Sequence, residues 1–327
     1  MRRILVIRFS ALGDVAMLAA VLKQLSVPDD VRLTVLSQNR LAPLFMESGD
    51  KISFAGADLK GRHKGMSGLN VLLQDINYRQ YDAVVDCHNV LRSRYLDLRF
   101  RMAGKQVVIM PKTRWAKWWL TCPWNKRKQA LTPMPEQYSK VLNRALHVAT
   151  TGKQKPTSSQ ASGKEGHGIG IAPFAAHAGK IYPTDKMEQV VAALSQKGEK
   201  VYLFGGGTAE TAILETWANK YPNTESVAGK KNMAEELDIM RRLRLMVTMD
   251  SGNMHMASLV GTRVISIWGA THPMAGFLGI GQNEQDCVQR DLPCRPCSIY
   301  GNKQCRYGDY RCLDITPEDI IKLCESS

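Results

Sequence analysis

The stretch Leu245-Met-Val-Thr-Met-Asp250-Ser251-Gly252-Asn253-Met254-His255-Met-Ala-Ser-Leu-Val260 limits what this chain can fold into more than any other. A short apolar run passes through Asp-Ser-Gly into a run of small residues. The pattern predicts a buried strand, a tight turn and a helix. At such a turn the backbone N–H groups of Gly252, Asn253 and Met254 are unpaired and point outward, with the positive end of the helix dipole behind them. That makes an anion seat suited to a phosphate. Gly252 lets a ligand approach the backbone, because no Cβ stands in the way. An Asp or Ser cap on an ordinary core helix is the other reading of the same residues.

The strand–turn–helix unit recurs along the chain. Strands are predicted at Ile4–Ile7, Arg32–Leu36, Tyr81–Asp86 and Gln106–Met110, with helical runs at Val15–Leu25, Leu69–Ile76 and Leu91–Met102. The segment Thr150–Gly168 is rich in Ser, Gly, Lys and Thr and reads as a linker. Beyond it the rhythm restarts, with strands at Ile169–Ala172, Val201–Phe204, Leu245–Thr248 and Val264–Trp268. Helices are predicted at Lys186–Leu194, Glu210–Lys220, Ala234–Leu243 and Met254–Val260. Thr316-Pro317-Glu318-Asp319 starts a last helix, free to pack on either domain. The expectation is α/β: two doubly wound domains, 1–155 and 156–327, facing a cleft. Three strand-end loops, Ser10–Asp14, Phe204–Glu210 and Asp250–His255, would face it.

A formal charge of +14 calls for a polyanionic partner: nucleic acid, an anionic lipid surface or a phosphorylated substrate. No apolar run reaches the roughly 18–20 residues that span a membrane. The N-terminal apolar run Ile4–Ile7 is too short for a signal peptide, so the expected location is the cytoplasm. Of eight cysteines, Cys294, Cys297, Cys305 and Cys312 cluster near the end. One interval suits zinc and the other two match no common pattern; free thiols are the reading taken, with a metal left open.

Three motifs in order resemble those of family 9 glycosyltransferases, the ADP-heptose:lipopolysaccharide heptosyltransferases. They are Arg8-Phe-Ser-Ala-Leu-Gly13-Asp14-Val15, Ile171-Ala-Pro-Phe-Ala-Ala-His177-Ala-Gly-Lys180-Ile-Tyr-Pro183 and Met249-Asp-Ser-Gly-Asn-Met-His255. Gly269-Ala-Thr271-His-Pro273 and the Cys-x-x-Cys tail extend the similarity over nearly the whole chain. The resemblance implies a GT-B fold and inverting transfer of a sugar from a nucleoside diphosphate, with ADP-heptose the favoured donor, no cofactor and no metal. The chain has no Asp-x-Asp of the kind that holds a divalent ion beneath a diphosphate.

Within that frame Asp14 is the expected general base, exposed after a tight turn at Gly13, where a helix N-terminus favours the carboxylate. Lys180 is expected at the donor diphosphate together with Asp250, Ser251, Gly252, Asn253, Met254 and His255. Gly206 would admit the nucleoside and Glu210 would take ribose hydroxyls. Phe204-Gly-Gly-Gly207 is not a nicotinamide fingerprint. Ser10, Lys60, Arg62, Lys64, Arg92 and Arg94 are expected at a phosphorylated acceptor. Trp115, Trp118, Trp119 and Trp124, interleaved with Lys and Arg, suit the headgroup layer of an anionic membrane or a helix face turned to the core. A nucleotide-sugar epimerase of the same architecture and a basic nucleic-acid-binding module are the alternatives.

Overall fold

The computed structural model describes residues 1–147 and 166–326, which group into two compact units. One contains 1–113 and 134–147, the other 114–133 and 166–326. The boundary expected at 155/156, and most of the expected linker, lie outside the described residues.

The first unit carries β1 (Arg2–Ile7), β2 (Val31–Gln38), β3 (Ile52–Ala57), β4 (Ala83–Asp86) and β5 (Gln106–Ile109), all parallel, in the order β3-β2-β1-β4-β5. The helices α1 (Leu12–Lys23), α2 (Gly65–Asp75) and α3 (Leu91–Met102) alternate with these strands. Next come α4 (Arg114–Thr121), which groups with the second unit, and α5 (Met134–Leu146), which returns to the first. β1 is central, and its buried part, Ile4–Ile7, is an uninterrupted apolar run, as a strand covered on both faces must be. In α1 every residue from Val15 to Leu22 is buried, and the helix packs on α5.

The second unit carries β6 (Ile169–Ala172), β7 (Val201–Leu203), β8 (Thr224–Ser226), β9 (Leu245–Met249), β10 (Arg263–Trp268) and β11 (Cys287–Gln289). They form a parallel sheet in the order β11-β10-β9-β6-β7-β8. Its helices are α6 (Thr184–Gln196), α7 (Thr208–Lys220), α8 (Met233–Arg242), α9 (Gly252–Leu259) and α10 (Pro317–Glu325). The capped last helix packs on α6, within this unit. Among the described residues no helix is long and apolar enough to cross a membrane.

In each sheet the strand order reverses once, between β1 and β4 and between β6 and β9. At such a switch point neighbouring loops leave in opposite directions and open a crevice at the carboxyl ends of the strands. In each unit, taken by itself, this switch point is the place for a ligand.

One feature under α3 had no signal in the sequence. Asp86, at the end of β4, and Asp97, on α3, are 0% and 2% exposed. Asp86 Oδ1 accepts the backbone N–H groups of His88 and Asn89, each at 2.8 Å. Asp86 Oδ2 and both Asp97 oxygens meet no other donor among the described residues. A proton shared between the two carboxyls satisfies both. Burial, then the neighbouring Asp86 charge, push the Asp97 carboxyl up to about 8, against Arg94 and Arg101. With an unfolded value near 4, the contribution is full below about pH 4 and is lost as pH rises toward 8. Asp97→Asn keeps a neutral partner for Asp86 at every pH. Its melting temperature is expected to exceed the wild type's by a few degrees at pH 8.5 and to fall level with it or below near pH 4. Parallel pH profiles for the two proteins would exclude the shared proton.

Candidate active site

At the switch point of the first unit, β1 ends at Ile7 and delivers Arg8 to a buried position, 8% exposed. Its Nη2 pairs with Asp14 Oδ2 at 2.5 Å, and its Nη1 donates to the Cys87 carbonyl at 2.6 Å. The Tyr138 ring lies 5.9 Å from the guanidinium carbon. Asp14 is at the third position of α1 rather than at its cap, and Oδ2 also takes the Ala11 N–H at 3.3 Å. Both contacts use Oδ2; among the described residues Oδ1 makes none. The arrangement fixes the carboxylate while leaving one oxygen open to a ligand.

Beside it stands His88, unremarked in the sequence. Its ring meets Phe9 edge-on at 6.0 Å. Burial, then the Arg8 charge, lower its pKa to about 4, so it is neutral at neutral pH. Ser10 is half-buried, two residues after Arg8.

The cations expected at the acceptor differ in what they are free to do. Arg62 places its fork on Asp75, at 2.9 and 2.7 Å, and His63 Nε2 reaches the same carboxylate at 3.0 Å. Asp58 closes the loop by accepting from Gly61 and Arg62 N–H. Arg62 therefore builds the loop, whereas Lys60 and Lys64 are exposed on it. Arg92 and Arg94 are exposed on the first turn of α3, directly after the Asp86 turn. All of these follow strand carboxyl ends, on the edge where Asp14 stands.

In the second unit the loops after β9, β6 and β7 are consecutive along the sheet, which is why residues far apart in sequence meet. Lys180, on a turn after β6, pairs with Asp250 Oδ2, after β9, at 2.9 Å. The two side chains are only 15% and 6% exposed, so Lys180 is not a surface lysine. Ser251 caps α9 by position, its hydroxyl 3.2 Å from that of Thr248. Gly252 and Asn253 are half-exposed at the helix start. Met254 and His255 turn inward, 0% and 5% exposed, so Met254 can present only its backbone N–H. Glu210 Oε2 accepts the Gly206 N–H at 2.8 Å, closing the glycine loop on itself. Glu236, on α8, was not anticipated: burial alone raises its carboxyl to about 7. No group of three His, Cys, Asp or Glu side chains stands ready to hold a metal ion among the described residues.

The family model of glycosyltransferase family 9 (heptosyltransferase) matches residues 70–310, well over half of the sequence. The chain belongs to glycosyltransferase family 9. Lipopolysaccharide heptosyltransferase 3 of Escherichia coli is 32% identical over 114 residues, covering 34% of this chain and 33% of the relative. The matched stretches span a third to a half of the curated relatives' length. Among solved structures, the family 9 glycosyltransferase of Veillonella parvula superposes with a TM-score of 0.73 at 21% identity, covering 99% of this chain and 96% of that one. The E. coli heptosyltransferase WaaC with ADP gives 0.66 at 15%, covering 99% of each. The fold is GT-B type.

Proposed function

We propose that this family 9 enzyme moves a heptose from ADP-heptose onto a phosphorylated glycolipid of the lipopolysaccharide-core type, with inversion at the anomeric carbon. The largely buried Lys180–Asp250 pair at the switch point of the second sheet, beside an α9 start whose N–H groups take no side-chain cap, carries this reading. A diphosphate leaving group needs positive charge that does not have to reorganise as negative charge develops. Lys180, held by Asp250, and the α9 amides supply it without requiring a metal at the phosphates. Asp14 Oδ1 takes the acceptor proton as the acceptor oxygen bonds to the anomeric carbon. The bond to the diphosphate breaks on the opposite face.

Thermal unfolding in a panel of nucleoside diphosphates tests the donor half. ADP at about 100 times its Kd is expected to add about 2.7 kcal/mol of stability, a shift of several degrees. A panel in which no nucleotide shifts the transition removes the proposed donor site.

The reading also places the enzyme on the cytoplasmic face of a membrane. Trp115, Trp118 and Trp124 are 78%, 51% and 89% exposed, whereas Trp119 is half-buried beneath Arg127, 4.6 Å from its ring. Exposed indoles among lysines and arginines match an anionic interface. Replacing the three exposed tryptophans with alanine is expected to weaken binding to phosphatidylglycerol vesicles by at least about tenfold, a little over 1 kcal/mol. Equal co-sedimentation of both proteins would leave that face without a membrane role.

A further inference from the structure

We propose that Cys294, Cys297, Cys305 and Cys312 form a structural site for one soft divalent cation, zinc or iron(II), held by four thiolates. All four line a single cavity of about 20 Å³, room for about one water molecule or ion. They are separated by two, seven and six residues, and the first pair has the Cys-x-x-Cys spacing of a metal-binding knuckle. The chain from 290 to 310 that carries three of them contains no helix and no strand. Segments of that length with little structure of their own need a staple.

The backbone around the first pair is already fixed. Arg295, 2% exposed, donates to the carbonyls of Trp268, Gly269 and Thr271 at 3.0, 2.5 and 2.8 Å. Lys126 donates to the carbonyls of Cys294 and Pro296 at 2.5 and 2.9 Å. The Cys297 N–H reaches the Ala270 carbonyl at 3.0 Å. The knuckle is therefore pinned to the end of β10 and to the 114–133 segment.

Charge points the same way. Four thiolates and a divalent ion carry a net charge of −2, and Arg295, Arg306 and Arg311 line the same cavity. Guanidinium groups around thiols complement an anionic cluster; of the three, Arg311 already pairs with Asp309 at 2.7 Å, which leaves Arg295 and Arg306 to face it. Among the described residues no three of these thiols converge on one ligand point in this structure, so binding requires side-chain rotation. Cys297 Sγ faces the Ala270 carbonyl at 3.7 Å and Cys305 Sγ faces Asp309 Oδ1 at 3.9 Å. Both contacts are weak, and rotation about the side-chain bonds releases them. Burial raises the pKa of Cys297, and that of Cys312 to about 11, so binding must displace protons, up to four, and weakens in acid.

The same loop walls the donor lysine. Gly301 has φ +77°, and a Cβ there would stand 2.6 Å from Lys180 Cγ. A bound ion would thus hold the surface against which Lys180 lies. This goes beyond the transfer reading, and its main readout, metal content, is independent of that reading.

The test is elemental analysis of the full chain, purified under reducing conditions without chelator. About one zinc or iron per chain is expected, lost in Cys305→Ser and Cys312→Ser and kept in Cys287→Ser. Chelator-stripped protein titrated with cobalt(II) should show thiolate charge-transfer and tetrahedral d–d bands that saturate at one equivalent. If the serine variants do not fold, wild-type metal content and the cobalt spectrum decide. Metal-free protein with four freely reacting thiols, recovery of these cysteines as disulfides, or metal retained by the folded serine variants would each overturn the proposal.

Discussion

Asp14→Asn is expected to lower transfer by about 10²–10⁴-fold while leaving nucleoside diphosphate affinity unchanged, the range for removing a positioned general base. Asn retains a side-chain oxygen for Arg8 and for the Ala11 N–H, so the local scaffold should persist. What it loses is the ability of the second oxygen to take a proton. The split between turnover and donor binding identifies the role, because the donor loops belong to the other unit. Equal loss of ADP binding would point to misfolding, and wild-type turnover would remove Asp14 from the chemistry. Asp14→Glu retains a carboxylate but moves it by one methylene. Partial activity there would place the requirement on basicity as well as position.

Lys180→Ala should be felt in both stability and function. It leaves Asp250, whose side chain is 6% exposed, without its cation. Breaking a buried pair from one side costs about 3–5 kcal/mol, which for a unit of this size corresponds to a fall of roughly 10 °C in Tm. The paired change Lys180→Met with Asp250→Leu removes both charges and should recover much of that stability. It should not recover ADP affinity, because the positive charge facing the diphosphate is gone. Recovery of both in the double variant would make the pair purely structural. Lys180→Ala with unchanged melting and unchanged ADP binding would remove it from the donor site.

Much of the architecture was legible because parallel strands buried on both faces leave runs such as Ile4–Ile7 and Leu245–Met249. β3, β8 and β11 were missed. β8 and β11 are three residues long, too short to show a period, and β3 is an edge strand that exposes part of each face. α5 was missed as well, masked by the prolines and charged residues that precede it.

What the amino-acid order determined by itself is local. Turn chemistry after a strand announced Asp14 and Asp250, capping chemistry announced α10, and cysteine spacing announced the 294–312 cluster. Tertiary structure alone decided the partnerships: Arg8 with Asp14, Lys180 with Asp250, Arg62 with Asp75, and Asp86 with Asp97. It also decided that 114–133 groups with the second unit while α5 returns to the first. The physical reason is the range of the forces. Backbone propensity and capping act over four or five residues, so they can be read along the chain. An ion pair at 2.9 Å between residues 180 and 250 exists only because crossover connections make β6 and β9 neighbours, and no local pattern encodes that strand order.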